Sequence, residues 1–197
     1  MTHDELTILL EKKVTASRLH RDSVANSVLA DLDGFEPLLQ IALDPSSPVS
    51  FHAAWVLEYV LDKDLNQLLP YLDFFTANLR HATHESTIRP LSKICQFLAK
   101  SYSGKKNTLT KDVLTNEQID TIIETGFDWM ISQHKVAVKA YTMTTLFLFG
   151  KKRDWVHPEL KLILEDSIMY QSPAYKARGR ITLELIRKHE KKKLGDN

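Results

Sequence analysis

Two histidines and a glutamate stand close together in the stretch His81-Ala82-Thr83-His84-Glu85. Imidazole nitrogens and carboxylate oxygens are zinc ligands, and a catalytic zinc site combines protein ligands of this kind with one open position. The order here is His-x-x-His-Glu, whereas zinc peptidases carry His-Glu-x-x-His on one helix. No fourth ligand is evident, so the sequence predicts neither a metal site nor another cofactor.

Cys95 is the one cysteine, and it lies in the apolar run Ile94-Cys95-Gln96-Phe97-Leu98. A thiol paired with a histidine could act as a nucleophile, but a cysteine in an apolar helix more often packs as a small buried side chain. A lone cysteine forms no internal disulfide, which suits a reducing compartment. The start Met1–Glu5 is acidic, unlike a signal peptide. We therefore expect a cytoplasmic protein without a membrane span and without a catalytic residue at Cys95.

A basic residue recurs between a bulky and usually a small one. The four positions are His52, Arg89, Lys139 and Lys176, and Lys93 and Arg180 follow the second and fourth by one helical turn. One interpretation is a positive strip on a concave face that binds an acidic peptide or a phosphorylated ligand. The other is an internal ladder of ion pairs, for which Asp44, Asp128 and Asp154 are the candidate partners. Repeat proteins depend on contacts between neighbouring repeats, which favours the ladder.

The elements that carry these residues are predicted to be helices. Thr2 with Glu5, and Thr115 with Gln118, have the spacing of capping boxes. Ser47-Pro48 and Ser172-Pro173 place an N-cap residue before a proline suited to a first helical turn. Apolar residues recur at i, i+3 and i+4 and never alternate as in a strand. The predicted fold class is therefore all-α.

The basic positions are separated by 37, 50 and 37 residues. The long interval contains the polar stretch Ser103–Thr108, and removal of about 13 residues restores the period. Two helices per repeat at this spacing indicate an α-solenoid of the HEAT or armadillo kind, with about five helix pairs in one domain. The predicted units are a divergent N-terminal pair at 3–32, repeats at about 35–62, 65–102, 116–151 and 159–190, and a loop insertion at 103–114.

Several strings resemble a functionally uncharacterised family of small bacterial HEAT-like proteins of about this length, often labelled adenylosuccinate lyase. These strings are Phe51–Glu58, Glu85–Ile94, Phe127–Trp129, Lys135–Tyr141, Asp154–Leu160 and Ala174–Arg178. The resemblance implies the HEAT-like fold. Lyases of the fumarase and aspartase superfamily are much longer and carry a Gly-Ser-Ser-x-Met-Pro-x-Lys-x-Asn loop, which this chain lacks.

Two functions remain open. The first is a non-catalytic binding or scaffold module that uses the basic strip to hold another protein or an anionic ligand. The second is a small enzyme or nucleic-acid-processing protein, either a lyase or a glycosylase, because Asp128 beside Trp129 is similar to the carboxylate and aromatic wall of HEAT-like DNA-alkylation-repair enzymes. A net charge of +1 argues against duplex nucleic acid as the partner. Trp129, like Trp55 and Trp155, is expected to pack between repeats. The binding module is favoured, since no cluster of acid and base groups is evident.

Overall fold

The computed structural model describes residues 1–31 and 33–195, and these residues form helices and no strands. The α-helices are α1 His3–Lys13, α2 Arg18–Leu29, α3 Phe35–Leu43, α4 Ser50–Lys63, α5 Leu72–Asn78, α6 Glu85–Ser103, α7 Leu109–Val113, α8 Asn116–Ile131, α9 Val136–Phe149, α10 Val156–Ser167 and α11 Pro173–Gly195. Short 3-10 helices span Leu65–Tyr71, Leu79–His81, Gly150–Lys152 and Ile168–Tyr170. The all-α prediction is confirmed. Of the predicted boundaries, the end of the first pair at Leu32 lies outside the described residues.

The helix starts follow the capping signals except at α4. Both capping boxes form, at Thr2 with Glu5 and at Thr115 with Gln118, and Ser172 accepts the Tyr175 N–H at the start of α11. The prediction that Ser47 caps α4 is wrong, because α4 begins at Ser50 after a turn in which the Ser50 N–H bonds the Ser47 carbonyl. No helix in the described ranges is long and apolar enough to cross a membrane.

Neighbouring helices form two series. In one, α2, α4, α6, α9 and α11 each contact the next, and in the other α1, α3, α5, α8 and α10 do so. The series contact each other through α1 and α2, α3 and α4, α8 and α9, and α10 and α11. Apolar stripes bury the shared interior, as with Leu38 on α3 and Ile123 on α8, neither of which is exposed. The α2–α4–α6–α9–α11 series carries the residues of the candidate site.

Two segments differ from a uniform helix pair. Within the predicted repeat 65–102, residues 65–81 form two 3-10 helices around α5, and Pro70, which lacks an N–H donor, lies in the first of them. The segment 103–114, expected as a loop insertion, contains α7. Its Thr110 and Leu114 side chains are buried, and the Ser101 hydroxyl donates to the Thr110 hydroxyl over 2.9 Å. The insertion is therefore packed against α6.

A histidine pair joins α10 to α11. His157 is buried, and its Nε2–H donates to the Phe147 carbonyl over 2.9 Å. Its ring centroid lies 5.2 Å from that of His189, and the two ring planes are nearly perpendicular. Burial lowers the pKa of His157 and outweighs the carbonyl contact that favours its charged form. Burial also lowers the pKa of His189, with repulsion from His157 adding to it. The surroundings of both rings, which also include Lys151, Lys193, Glu190 and Asp154, therefore favour the neutral form.

This packing predicts acid sensitivity. The unfolded chain takes up protons at these histidines near pH 6.5, whereas the folded protein does so only at lower pH. The contribution of these histidines to the free energy of unfolding should therefore be complete above that pH. It should decrease as the pH drops below it, by at most about 1.4 kcal/mol per histidine per pH unit. Urea unfolding between neutral and mildly acidic pH measures this slope. His157→Gln, which keeps a donor but cannot titrate, should make the slope shallower than in wild type. His20→Gln, on the exposed surface, is the matched control for replacing a histidine by glutamine. An equal slope in wild type and His157→Gln would contradict the assignment.

Candidate functional site

A groove of about 460 Å³ lies across the α2–α4–α6–α9 series. Its lining comes from the α1–α2 turn, from the first turn of α2, from the middle of α4, and from the N-terminal ends of α6 and α9. We call it the cationic groove; it is lined by Ala16, Arg21, Trp55, Glu58, Tyr59, Glu85, Ser86, Arg89, Lys135 and Ala137. Three cations and two carboxylates thus face a common space, and its volume lies in the range typical of ligand pockets.

Two aromatic rings form part of the groove. Trp55 and Tyr59 are one turn apart on α4, so they project from the same face of the helix. The Arg21 guanidinium of α2 lies over both rings, at 5.3 Å from the Trp55 centroid and 5.5 Å from that of Tyr59. The Trp55 Nε1–H donates to the Ser86 carbonyl over 3.0 Å, which fixes the ring against α6. The groove therefore combines a rigid apolar surface with a positive charge held over it.

Glu58 is the buried charge beside these rings. It is 4% exposed and accepts hydrogen bonds from Arg89 at 2.7 Å and from Lys93 at 2.8 Å. Burial disfavours the charged form of Lys93, but the hydrogen bond and the attraction of Glu58 outweigh it, so the pKa of Lys93 is raised. One carboxylate thus holds two cations, and an excess positive charge remains beside the groove.

Glu85 positions the part of the groove that is formed by the starts of α6 and α9. One of its carboxylate oxygens accepts the Lys135 backbone N–H over 2.8 Å and the other contacts His134 Nδ1 at 2.7 Å. Burial acts to raise the pKa of Glu85, but the contacts with His134 and Lys135 prevail and lower it. Glu85 thereby ties the start of α9 to the start of α6. The Lys135 side chain is left exposed at the rim.

The structure brings only part of the predicted strip together. Arg89 lines the cationic groove and Lys93 meets it at Glu58. His52 lies against Trp55, its Nδ1 is buried without a hydrogen-bond partner, and burial lowers its pKa. Lys139 is 8% exposed and 6.0 Å from the Tyr175 ring, and burial lowers its pKa. His52 and Lys139 therefore give the strip little accessible positive charge.

The last two strip residues lie on α11. Lys176 is half-buried and Arg180 is exposed, and neither lines the cationic groove. The expected internal partners are also engaged elsewhere. Asp44 accepts from the Ser46 hydroxyl at 2.7 Å, Asp128 lies 3.8 Å from Arg80 Nε, and Asp154 pairs with Lys193 at 2.5 Å. The carboxylate that pairs with the strip is Glu58 on a neighbouring helix. Among the described residues, none of Asp44, Asp128 and Asp154 forms an ion pair with a residue of the strip.

Sequence reasoning missed most of the groove: Arg21, Glu58, Tyr59, Glu85 as a positioning group, and Lys135. One signal was available, since Glu58 interrupts the apolar run Val56-Leu57-Glu58-Tyr59-Val60, and a buried carboxylate requires cationic partners. Trp55, expected to pack between repeats, does contact α6, but it also lines the groove.

The chain matches no protein-family model, no curated protein and no solved structure. Similarity therefore assigns it neither a family nor an activity.

The histidines considered as metal ligands have separate roles. His84 caps α6, with its Nδ1 accepting the Ser86 N–H over 3.2 Å, while His81 contacts Asn78 at 3.2 Å and Glu85 binds at the start of α9. Across residues 1–31 and 33–195, no group of three or more His, Cys, Asp or Glu side chains is placed to hold a metal ion.

The remaining candidates for chemistry lie apart from the groove. Cys95 is buried, and burial raises the pKa of its thiol, which disfavours the thiolate that a nucleophile requires. Trp129 is buried in the core, whereas Asp128 is exposed beside Arg80. Trp155 is 48% exposed and contacts Phe127 at 5.4 Å, so the expectation that it packs between repeats is met only in part.

Proposed function

We propose that this chain is a non-catalytic binding module, a single HEAT-like solenoid domain of about five helix pairs that holds an acidic protein segment or a phosphorylated ligand in the cationic groove. The two series of neighbouring helices support the solenoid, because each helix of a series contacts the next in chain order. The period of the basic positions in the sequence supports it independently.

One observation carries the binding role: Arg21, Arg89 and Lys135 meet around a groove that also contains Trp55 and Tyr59. Cations at the rim recognise carboxylate or phosphate, and rings held in place by α6 and Arg21 offer apolar contact without much loss of side-chain entropy. The two carboxylates are already engaged, Glu58 by Arg89 and Lys93, and Glu85 by His134 and the Lys135 N–H. They are therefore held in structural contacts and are not free to act as an acid–base pair.

The test uses a fluorescent peptide rich in Asp and Glu with one aromatic residue, measured by anisotropy. Arg21→Gln with Lys135→Gln removes two rim cations, so we expect binding to weaken at least about tenfold, since one charge-assisted hydrogen bond is worth roughly that factor. Wild-type affinity should also fall as salt rises. The matched control is Lys191→Gln with Lys192→Gln, which changes the net charge equally on the exposed end of α11. Equal affinity in both double variants would contradict a role for the groove.

A further inference from the structure

A second cavity, of about 300 Å³, lies at the C-terminal ends of α6 and α9. It is lined by Tyr102, Ser103, Gly104, Lys111, Leu148, Phe149, Lys151 and Lys152, and it shares no residue with the cationic groove. The lining contains three ammonium groups and no carboxylate. We call it the lysine cavity.

The three lysines are held in place by contacts other than ion pairs. Lys111 donates to the carbonyl oxygens of Gly104 at 2.5 Å and Lys106 at 2.7 Å. Lys152 lies 5.0 Å from the centroid of the Tyr102 ring, and Lys151 lies 5.0 Å from that of Phe147. Carbonyl and ring contacts orient the ammonium groups without neutralising them. Their positive charge is therefore available to a ligand.

Ion pairs within the described residues do not offset this concentration. Among the described residues, none of the three lysines forms an ion pair with a carboxylate, whereas the adjacent Arg153 pairs with Asp120 at 2.7 Å. Lys105 and Lys106 follow Gly104 and are exposed. Gathering like charges costs free energy. A multiply charged anion in the cavity would relieve that repulsion.

The segment that interrupts the repeat period builds one wall of this cavity. Gly104 and Lys111 belong to residues 103–114, which α7 anchors through the buried Thr110 and Leu114. Without this segment the cavity would lose its third lysine and the carbonyl oxygens that position it. The insertion therefore forms part of the wall of the lysine cavity.

We propose that the lysine cavity is a second binding site, which takes a small ligand bearing a phosphate or polyphosphate group. Phosphate oxygens accept hydrogen bonds from several ammonium donors, and lysine binds them as a point charge. A chain of phosphates carries several negative charges, so it can interact with more than one of the three lysines. The lining also includes Leu148 and Phe149, apolar residues suited to contact an attached organic group.

The experiment is calorimetric titration of the full chain with inorganic tripolyphosphate, with ATP and with sulfate, at low ionic strength. Saturable binding of tripolyphosphate or ATP supports the proposal, and the tighter of the two identifies whether a free polyphosphate or a nucleotide is the source of the phosphate chain. Lys151→Gln with Lys152→Gln should weaken that binding at least about tenfold. Sulfate, with a single anionic centre, should bind much more weakly.

Two control variants distinguish the lysine cavity from the cationic groove and from general surface charge. Lys191→Gln with Lys192→Gln, which makes the same change in charge on α11, should leave the affinity for the phosphate ligand unchanged. Arg21→Gln with Lys135→Gln should leave unchanged the component of binding that Lys151→Gln with Lys152→Gln weakens, because any phosphate bound in the cationic groove is a separate component of the titration. The lysine cavity and the cationic groove can therefore fail independently.

A purely structural role for the lysines gives a different result, because lysines near a helix C-terminus also interact with its dipole. If Lys151→Gln with Lys152→Gln lowers the thermal midpoint while phosphate affinity stays equal to wild type, the lysines serve only the helix ends and the proposal is overturned. It is also overturned if sulfate binds as tightly as tripolyphosphate and ATP.

Discussion

Replacement of Glu58 by alanine is expected to lower the free energy of unfolding by about 3 kcal/mol, because removing one partner of a buried ion pair leaves charges without compensation. Glu58 is 4% exposed, whereas Arg89 and Lys93 are 31% and 26% exposed at their side chains. The substitution would leave two half-buried cations of α6, one helical turn apart, without their carboxylate on α4. Urea unfolding followed by far-ultraviolet circular dichroism measures the loss.

Asp62→Ala is the matched control for this substitution. Asp62 lies on α4 one turn beyond Glu58, and its side chain is exposed. Its removal should change the free energy of unfolding by no more than about 0.5 kcal/mol. If the two alanine variants lose the same amount, Glu58 is not the organising charge of this interface, and the assignment of Arg89 and Lys93 to an internal cluster fails.

The second large effect is expected at Gly150, where alanine should destabilise the protein by about 2 kcal/mol, a typical cost of overpacking a filled interior. The backbone there has φ −61° and ψ −14°, which any residue adopts easily. Alanine at such a position ordinarily stabilises a protein by about 0.4–1 kcal/mol, because it restricts the unfolded chain. A Cβ atom at Gly150, however, would lie 2.5 Å from His157 Cδ2 and 3.0 Å from Val156 Cγ1.

The His157 ring has little freedom to move away from that clash. It is stacked on Phe147 with an interplanar angle of 10° and is hydrogen-bonded to the Phe147 carbonyl. Gly34→Ala is the control, since the nearest atom to a Cβ there, the Asp31 carbonyl oxygen, is 3.4 Å away and the backbone is again helical. Gly34→Ala should not lower the free energy of unfolding and should raise it by up to about 1 kcal/mol. A Gly150→Ala variant as stable as wild type would show that α10 can shift, and that the close approach is not a constraint.

Local signals in the sequence were sufficient to predict that this chain is helical. The two capping boxes, Thr2 with Glu5 and Thr115 with Gln118, each involve residues within one helical turn. The apolar stripe of α8 likewise indicates the buried face of that same helix. Such features depend on neighbours three or four residues away, so the sequence carries them directly. The start of α4 is the exception, because a turn through Ser47 delays the helix until Ser50.

The cationic groove depends on contacts between residues that are far apart in the sequence. The sequence predicts Arg89 as a cation of the strip, but its partner Glu58 is 31 residues away on the adjacent helix. Arg21 meets Trp55 only because α2 packs on α4, and the insertion forms a cavity wall only because α7 packs on α6. The spacing of the apolar residues predicts which side chains face inward. Which charges then meet is decided by the packing of helices that are far apart in the chain, because a direct ion pair forms only when tertiary packing brings the two groups within about 4 Å.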